Sequence, residues 1–311
     1  MKSASHTEAR FNDEDAARAH LEATRWPKGP ECAHCGGVER ISRLHGKAHR
    51  PGLLFCGDCR TQFSVTVGTV FEDSKVPLHK WVYAIHLMCA GKKGCSSLQL
   101  QRVLGVTYKT AWFMSHRIRA AMATEPTGQL GGSGKVVEAD ETFWGGKKKV
   151  FRSKGRGYEH KQKIFSLVER GGKVRSFHVT SVNAENLKPI MRAHVSNKTM
   201  INTDEHGAYA KLDREFAGHE TVSHLKREYA RGPVTTNTVE GFFSILKRGL
   251  NGIYHHVSEQ HLQRYVTEFD FRYNNRESLG VNDEQRSAEV VKGLGGKRLT
   301  YRRINEAAPV A

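Results

Sequence analysis

The stretch Lys135-Val-Val-Glu-Ala-Asp-Glu-Thr-Phe-Trp-Gly-Gly146 is the part of the chain from which the fold is best argued. Two valines, a threonine and two aromatic residues favour a β-strand, and the two glycines end it. Asp140 stands in the middle, although aspartate is depleted in strands because its short side chain competes with the backbone for hydrogen bonds. Two interpretations are open at this point: an edge strand whose polar face meets water, or a strand that keeps its aspartate for chemistry.

The composition points to a polyanionic partner. The chain has 311 residues, which is room for two or three domains and at least one large core. It contains 49 Lys and Arg residues against 32 Asp and Glu residues, so its formal net charge is +17. A positive charge of this size attracts polyanions, with nucleic acid as the first candidate and an anionic membrane surface as the second.

The sequence shows no sign of secretion or membrane insertion. No apolar run approaches the roughly 18 residues of a transmembrane helix. The N-terminal residues are polar and lead into the acidic stretch Phe11-Asn-Asp-Glu-Asp, without the apolar core of a signal peptide. We therefore expect a cytoplasmic, nucleoid-associated protein in a reducing compartment, where its six cysteines do not form a disulfide framework.

Four cysteines have the spacing of a zinc site. The pairs Cys32-Ala-His-Cys35 and Cys56-Gly-Asp-Cys59 are separated by 20 residues. Two such pairs bring four thiolates to one tetrahedral centre, which suits a structural Zn²⁺ with ligands Cys32, Cys35, Cys56 and Cys59. The alternative is four free thiols in a small core. The remaining cysteines and the nearby histidines are not needed as ligands, and we expect Cys89 and Cys95 to be packing residues. A helix from Asp13 to Ala23 precedes this ribbon, and together they make a domain over residues 1–70.

Residues 71–125 read as a helix-turn-helix region. We predict a helix from Leu78 to Ala90 and a second helix capped by Ser96 or Ser97. The turn Gly105-Val106-Thr107 leads to a third, basic helix, Tyr108 to Arg119, with Thr107 as its N-cap. This layout is typical of a DNA-reading motif, and a three-helix bundle with a solvated basic face is the alternative. The side chains expected to point largely away from the core and to bind DNA are Lys109, Thr110, His116, Arg117 and Arg119.

The second half of the chain predicts a mixed sheet. The hairpin turn Arg170-Gly-Gly-Lys173 joins two strands, so three antiparallel strands begin this domain. A fourth strand, Met200 to Asp204, ends in a second aspartate. The order βββαβαβα indicates an α/β domain with a ribonuclease-H-like fold over residues 126–278, a mixed sheet with helices on both faces. Its expected helices are 184–195, a short one at 206–212, 237–248 and 259–276, and a weak fifth strand starts at Glu220. Residues 279–311 are expected to be a polar, poorly ordered tail.

That fold gives three carboxylates a shared purpose. Asp140 lies on the first strand, Asp204 ends a strand expected beside it, and Glu240 opens the helix packed across them. Such a cluster can hold two Mg²⁺ (or Mn²⁺) ions about 3.5–4 Å apart for phosphoryl transfer on DNA. Lys247 lies two helical turns after Glu240, roughly 10 Å along, where it can contact a phosphate or simply be a surface lysine. Alternatively, Asn237-x-x-Glu240 is a capping box, in which the glutamate only ties down the helix start.

Other acidic residues are weaker candidates. We expect Glu141 to point to the opposite strand face, away from the site. Glu205 beside Asp204 stays open as a participant in the metal site. Three further carboxylates are possible third ligands: Glu228, Glu268 and Asp270. The basic loop from Lys147 to Lys163 is expected to hold DNA beside the site.

Taken together, these residues resemble a known family. From about Arg25 to Arg276 the chain resembles bacterial insertion-sequence transposases of the DDE type with an N-terminal zinc ribbon, the ISXO2-like transposase family. The matching motifs are Arg-Trp-Pro-x-Gly before Cys32, Gln62-Phe-Ser-Val-Thr-Val-Gly-Thr-Val70, Lys109-Thr-Ala-Trp112, Asp140-Glu-Thr with Gly145-Gly, Asn202-Thr-Asp204, Asn237-x-Val-Glu-Gly241 with Lys247, and Tyr265-x-x-Glu-Phe-x-Phe-Arg-Tyr-Asn274. Ala33 stands where such ribbons often have proline, and Phe243 where tryptophan is common.

The resemblance implies a function and roles for residues. Asp140, Asp204 and Glu240 would be the metal-binding triad, and the zinc ribbon and helix-turn-helix would bind element ends. The expected protein is a transposase that nicks double-stranded DNA at the ends of an insertion sequence and joins the freed 3′-hydroxyl to target DNA, as a homo-oligomer on DNA. Two alternatives remain: a metal-dependent nuclease of the same fold that cuts without joining, and a non-enzymatic DNA-binding regulator on a transposase scaffold.

Overall fold

The computed structural model describes residues 6–124, 127–145, 160–297 and 299. The predicted basic loop lies outside the described residues up to position 159. The chain divides into two compact units. The first consists of Met1–Gly91, Cys95–Thr124 and Asn282–Ala311, and the second of Lys92–Gly94 and Glu125–Val281. None of the helices within the described ranges combines the length and the apolar character needed to cross a lipid bilayer.

The first unit begins with a helix and a small antiparallel sheet. Helix α1 spans Glu14–Arg25, and its N-cap Asp13 accepts a hydrogen bond from the Ala16 amide at 2.7 Å. The sheet has the order β1-β2-β3, with strands Ile41–Arg43, Leu54–Cys56 and Thr61–Phe63. Strand β1 lies between the two cysteine pairs, β2 ends at Cys56 of the second pair, and β3 follows Cys59.

Three helices follow in the first unit: α2 at Leu78–Ala90, α3 at Ser97–Leu104 and α4 at Tyr108–Met122. The predicted caps form. Ser96 accepts a hydrogen bond from the Gln99 amide at 3.1 Å, and Thr107 accepts one from the Thr110 amide at 3.2 Å. Gly105 has a φ of +59°, in the left-handed region that glycine adopts without steric cost, and it ends α3. Residues 105–107 therefore join α3 to α4 in a tight turn.

The expectation of a poorly ordered tail after Leu279 is wrong for residues 283–292. Residues Asp283–Lys292 form helix α8, which packs against α1, α2 and α4 of the first unit. A capping box between Asn282 and Gln285 fixes its start. The apolar stripe of α8 is short and surrounded by charged residues, which hid it in the sequence, yet Val290 and Val291 are fully buried or nearly so.

The second unit contains a five-stranded sheet with the order β6-β5-β4-β7-β8. Strands β4, β5 and β6 are antiparallel neighbours, and β7 and β8 run parallel to β4. Their bounds are Val136–Trp144, Gln162–Glu169, Val174–Val179, Met200–Thr203 and Gly218–Thr221. Because β4 is the central strand, the interpretation of Asp140 as part of an edge strand is wrong.

Each face of this sheet carries an apolar core. On one face, Val137 and Ala139 of β4 pack in a cluster with Leu187 and Met191 of helix α5 (Ala184–His194). On the other face, Trp144 of β4 belongs to a second cluster with helices α6 (Asn237–Gly249) and α7 (Glu259–Asn274). The helix expected at 206–212 is instead two short 3₁₀ turns, Gly207–Tyr209 and Leu212–Arg214. A two-stranded hairpin, β9 (Ala230–Arg231) with β10 (Val234–Thr235), precedes α6.

Candidate active site and zinc centre

Three elements of the second unit bring carboxylates to one cleft. Asp140 comes from the middle of β4, Asp204 directly follows β7, and Glu240 lies in the first turn of α6. All three line a cleft of about 440 Å³, and Lys247 from two turns further along α6 lines the same cleft. The predicted convergence of these four side chains thus has a physical basis. The parallel register that pairs Glu138 with Asn202 brings Asp140 beside the end of β7 at Asp204, and α6 packs against β4.

The cleft disfavours negative charge on Asp140. Burial, together with the neighbouring charges of Glu141 and Asp204, raises the pKa of Asp140 to about 8, even though the Glu141 amide donates a hydrogen bond of 2.7 Å that lowers it. The oxygen atoms of these carboxylates do not all lie within 4.8 Å of one another, and among the described residues only the four cysteines form a group that close. The donor set is nevertheless one that Mg²⁺ accepts, because it consists of hard carboxylate oxygens, and a bound cation would relieve the mutual repulsion.

The predicted orientation of Glu141 was correct for the strand face but wrong for the site. Its side chain lies on the face opposite to Asp140, where the hydroxyl of Tyr209 donates a hydrogen bond of 2.6 Å to Glu141 Oε2. Glu141 nevertheless lines the cleft together with Asp140 and Asp204. Burial raises the pKa of Glu141, and the hydrogen bond from Tyr209 offsets this rise only in part. The cleft therefore contains four carboxylates and not three.

The remaining acidic candidates lie outside the residues that line the cleft. Glu205 accepts hydrogen bonds from the backbone amides of His224 and Leu225 at 2.8 and 3.0 Å, which lower its pKa. Glu268 is fully buried against Arg272. Asp270 accepts the amide and the hydroxyl of Ser176, and Glu228 lies 4.0 Å from Arg231. Each of these carboxylates therefore has a structural partner.

The capping-box interpretation of Glu240 is also wrong. Residue Thr236, and not Asn237, is the N-cap of α6, and the Asn237 amide donates to Thr235 Oγ1 at 3.0 Å. Glu240 instead accepts a hydrogen bond of 3.1 Å from the Thr236 hydroxyl, and His224 Nε2 lies 3.5 Å from the same carboxylate oxygen. Glu240 is exposed towards the cleft, and its carboxylate is oriented by these two neighbours without bonding to the backbone amides at the start of the helix.

A buried glutamate that the sequence analysis missed caps α6 in its place. Glu138 of β4 is fully buried, and its carboxylate accepts the backbone amides of Thr238 and Val239 at 2.8 and 3.0 Å. It also accepts the hydroxyl of Thr238 at 2.9 Å and the Nε of Arg170 at 2.6 Å. The strand that carries Asp140 is thereby bonded to the helix that carries Glu240. The signal in the sequence was a charged residue two positions before Asp140, on the same face of an otherwise apolar strand.

Arg170 extends this network to the loop before α6. Its guanidinium donates to the carbonyls of Pro233 and Thr235 at 2.5 and 2.9 Å. Asn202, with its amide oxygen turned towards the guanidinium, accepts a further bond of 3.0 Å. Asn202 is the direct partner of Glu138 across the β4–β7 pair, and it lies two residues before Asp204. Asp140, Asp204 and Glu240 thus each lie two residues after a member of one hydrogen-bonded network, namely Glu138, Asn202 and Thr238.

His224 is a second cleft residue that the sequence analysis missed. It starts a 3₁₀ turn, His224–Lys226, between β8 and the hairpin, and its side chain lines the cleft. Its ring nitrogen lies near Glu240, as described above, and 3.4 Å from Thr236 Oγ1. No sequence signal singled it out, because one histidine among the chain's 17 in a short polar segment has no spacing that relates it to Asp140 or Glu240.

The four cysteines form the predicted cluster in the first unit. Their sulfur atoms all lie within 4.8 Å of one another, with Cys32 to Cys59 and Cys35 to Cys56 each separated by 3.7 Å. Neighbouring sulfurs of a tetrahedral centre with Zn–S bonds of about 2.3 Å lie about 3.8 Å apart, so the cluster fits a structural zinc. All four coordination positions would be filled by protein, so such a centre is structural and not catalytic.

The structure changes the set of accessible residues on α4. Lys109 is exposed and Thr110 partly exposed, as predicted. The expectation that His116, Arg117 and Arg119 point away from the core is wrong, since they are 0, 8 and 1 % exposed. Arg117 donates to the Glu72 carbonyl at 3.0 Å and Arg119 to the Ser115 hydroxyl at 2.9 Å. Packing of α8 against α4 adds a covered side to the helix that the sequence pattern did not reveal.

Comparison with known proteins places these features in a family. The model of the ISXO2-like transposase domain matches residues 129–274, and the model of the transposase zinc-ribbon domain matches residues 12–62. The chain is 30 % identical over 278 residues to an uncharacterized protein in transposable element ISH50 of Halobacterium salinarum, an alignment that spans 84 % of this chain and 91 % of the relative. An uncharacterized transposase-like protein of Haemophilus influenzae is 28 % identical over 105 residues, which is 34 % of this chain and 84 % of that protein.

A solved structure was also compared. A chain of the cryo-EM structure of the simian T-cell lymphotropic virus intasome in complex with PP2A regulatory subunit B56 gamma aligns with 70 % of this chain and 76 % of its own length. The TM-score of 0.32 and the 16 % identity are too low for an argument about fold. The family matches, which cover both the zinc ribbon and the domain with the carboxylate cleft, and the ISH50 relative show that the chain belongs to the ISXO2-like transposases.

Proposed function

We propose that this protein is a DDE transposase with a ribonuclease-H-like catalytic domain, which cuts DNA at the ends of an insertion sequence and joins them to target DNA. The observation that carries the proposal is the cleft lined by Asp140, Asp204, Glu240 and Lys247. These residues come from two parallel strands and a crossing helix, an arrangement suited to holding divalent cations against a phosphodiester. The sheet order around β4 supports the ribonuclease-H-like fold.

Asp140, Asp204 and Glu240 are the residues that would hold Mg²⁺ or Mn²⁺. When bound, such ions supply charge stabilisation at the attacking and leaving oxygens of an in-line displacement. The protein's own contribution is to position these carboxylates. The bonds from Glu138 fix β4 to α6, and the Thr236 hydroxyl orients the Glu240 carboxylate. Lys247 is exposed in the cleft, where its ammonium group can bind a non-bridging phosphate oxygen.

The proposed reaction has two displacements at phosphorus. In the first, a water oxygen attacks the phosphodiester at the element end, and the bond to the 3′-oxygen breaks to leave a 3′-hydroxyl. In the second, that 3′-hydroxyl attacks a phosphodiester of target DNA, so that one ester bond forms as another breaks. Both steps require positioned charges and no covalent enzyme intermediate.

We propose that the first unit binds the double-stranded terminal repeats through the zinc ribbon and the α3–α4 pair, acting as a helix-turn-helix. Lys109 and Thr110 are the accessible candidates on α4. Arg117 and Arg119 would serve the helix pair through packing rather than through base contacts. The basic loop from Lys147 to Lys163 is a further candidate for holding DNA. Because two element ends must be joined, the active form would be a homo-oligomer on DNA in the nucleoid.

A strand-transfer assay tests this function. Purified protein, Mg²⁺ and a DNA fragment ending in the element's terminal repeats should give joined products, and Asp204→Ala should abolish them. The matched control is Asp213→Ala, which removes an exposed aspartate of the second unit that lies outside the cleft lining and should retain them. Cut ends without joined products would favour a plain nuclease. DNA binding without cutting, equal in the wild type and in Asp204→Ala, would favour a DNA-binding regulator.

A further inference from the structure

One segment beside the cleft exposes apolar side chains that the fold does not use. Residues 224–231, the cleft-side segment, follow β8 and include β9, the first strand of the hairpin. Within it, Leu225 is 87 % exposed and Tyr229 is 57 % exposed. Leu225 is the most exposed of the large apolar residues described. Two such side chains within five residues form a small apolar surface that belongs to neither apolar core of the second unit.

The backbone of this segment is anchored beside the site. The carboxylate of Glu205 accepts the amides of His224 and Leu225, as described above, and Glu205 directly follows Asp204. At the other end, Arg231 donates to Glu220 Oε2 of β8 at 2.8 Å. Leu225 is therefore held outward by a fixed backbone and is not the tip of an unattached loop.

The segment also adjoins the cleft directly. His224 lines the cleft, with its Nε2 3.5 Å from Glu240 Oε1. The Tyr229 ring packs edge-on against the His224 ring, with centroids 5.3 Å apart and an interplanar angle of 90°. The apolar surface thus begins one residue from a cleft side chain, which places it next to any phosphodiester bound there.

The charges of the segment indicate what covers this surface. Lys226 and Arg227 are exposed between the two apolar residues, and Glu228 is partly buried beside Arg231. Cations interleaved with an aromatic and an aliphatic side chain suit a nucleic acid, in which phosphates meet the cations and unstacked bases meet the apolar groups. Intact duplex buries its base faces, so this surface favours a DNA end whose terminal bases have opened.

We propose that Leu225 and Tyr229 form a docking surface for the unstacked terminal bases of a DNA end held in the cleft, with Lys226 and Arg227 on the adjoining phosphates. The inference rests on the proposed function, because it takes DNA as the ligand of the cleft. It adds a base contact to a site otherwise defined by its phosphate chemistry. It predicts that the protein distinguishes an opened DNA end from a paired one.

The test compares two duplex probes that share one strand, which carries 2-aminopurine at its end. In one probe this end is fully paired and blunt, and in the other the complementary strand is mismatched there. Binding is measured in Ca²⁺ without a chelator, so that the zinc centre is undisturbed. The wild type should bind the opened probe more tightly and change its 2-aminopurine fluorescence. Tyr229→Ala and Leu225→Ser should each reduce that preference about five-fold or more, given the usual strength of base stacking. Tyr229→Phe should keep the preference, and Lys226→Ala should weaken the binding of both probes by the same factor.

Tyr108→Ala is the matched control, because it removes an exposed tyrosine from the first unit and should leave the ratio between probes unchanged. The inference is overturned if the wild type shows no preference, or if Tyr229→Ala and Leu225→Ser keep it. It is also overturned if these variants change sedimentation of the free protein and not the probe ratio, since the surface would then bind a second copy. Strand transfer is scored separately. Failure to join DNA with the preference intact would count against transposition alone.

Discussion

Replacing Glu138 tests how the cleft is assembled. Glu138→Gln removes the charge of a fully buried carboxylate that accepts two backbone amides of α6, a hydroxyl and the Nε of Arg170. The amide group of glutamine keeps one acceptor oxygen, while its NH₂ group meets donors on the other side. The change therefore leaves the Arg170 guanidinium without its charge partner and removes at least one of the bonds that start the helix.

The expected magnitude follows from these contacts. Breaking one partner of a buried ion pair costs about 3–5 kcal/mol in typical cases. Arg170 is partly accessible, with 26 % of its side chain exposed, so the lower end of that range applies. Loss of a helix N-cap bond adds about 1 kcal/mol. We expect Glu138→Gln to lower the free energy of unfolding of the second unit by about 4 kcal/mol, and Glu138→Ala by more.

Urea unfolding followed by circular dichroism measures this loss, and hydrogen exchange of the peptide around Thr238 and Val239 locates it. Strand transfer should fall with it, since Glu240 is no longer fixed relative to Asp140. The matched control is Glu220→Gln, which breaks the exposed pair with Arg231 and should cost less than about 1 kcal/mol. A Glu138→Gln variant within about 0.5 kcal/mol of the wild type, with unchanged exchange at the α6 start, would refute the reasoning.

Four further predictions follow from other parts of the structure. Removing the metal with a chelator, or replacing Cys32 with serine, should unfold the ribbon and abolish binding to terminal-repeat DNA. Adding Zn²⁺ to the chelated protein should restore binding, whereas binding by protein that elemental analysis shows to be metal-free would contradict a structural zinc. Lys247→Ala should reduce strand transfer at least ten-fold with little effect on thermal stability, whereas full activity would make it an ordinary surface lysine. Burial raises the pKa of Asp270 from 3.8 to about 7, so the folded state favours its neutral form and the free energy of unfolding should fall as the pH rises from about 4 to about 7. Asp270→Asn should remove this part of the fall in the urea midpoint, and an equal fall in the wild type and the variant would argue against Asp270 as its source. Val290→Asp on α8 should destabilise the first unit by about 3 kcal/mol or more by burying a charge, compared with exposed Lys292→Asp as the control, and equal melting temperatures would show that α8 is not part of that core.

Local signals were sufficient for the helices of the first unit. Helix α2 spans the predicted Leu78–Ala90, and α3 and α4 begin at the caps Ser96 and Thr107, because a side-chain acceptor three residues before the amide that it binds is written in the sequence. The convergence of Asp140 and Asp204 was also predictable. An aspartate is costly within or just after a buried strand, and the fold predicted from the order of elements places the strand that ends at Asp204 beside the strand that carries Asp140.

Long-range packing was not predictable in the same way. Glu138 caps a helix that begins about one hundred positions later in the chain, so no local window relates it to Thr238. The burial of Arg119 depends on α4 being covered on several sides, one of them by α8, and a basic side chain on a helix is read from sequence as solvated. His224 enters the cleft because Glu205 holds its backbone, which is again a contact between separate segments.

The place of α8 in the chain has a consequence for synthesis. The second unit is inserted between α4 and α8 of the first, so the ribosome makes all of the second unit before it makes the helix that covers α4. A nascent chain can therefore fold its carboxylate cleft while the first unit, which carries the cysteine cluster, still lacks α8. A product that stops before Asp283 would carry the cleft together with a first unit that lacks α8.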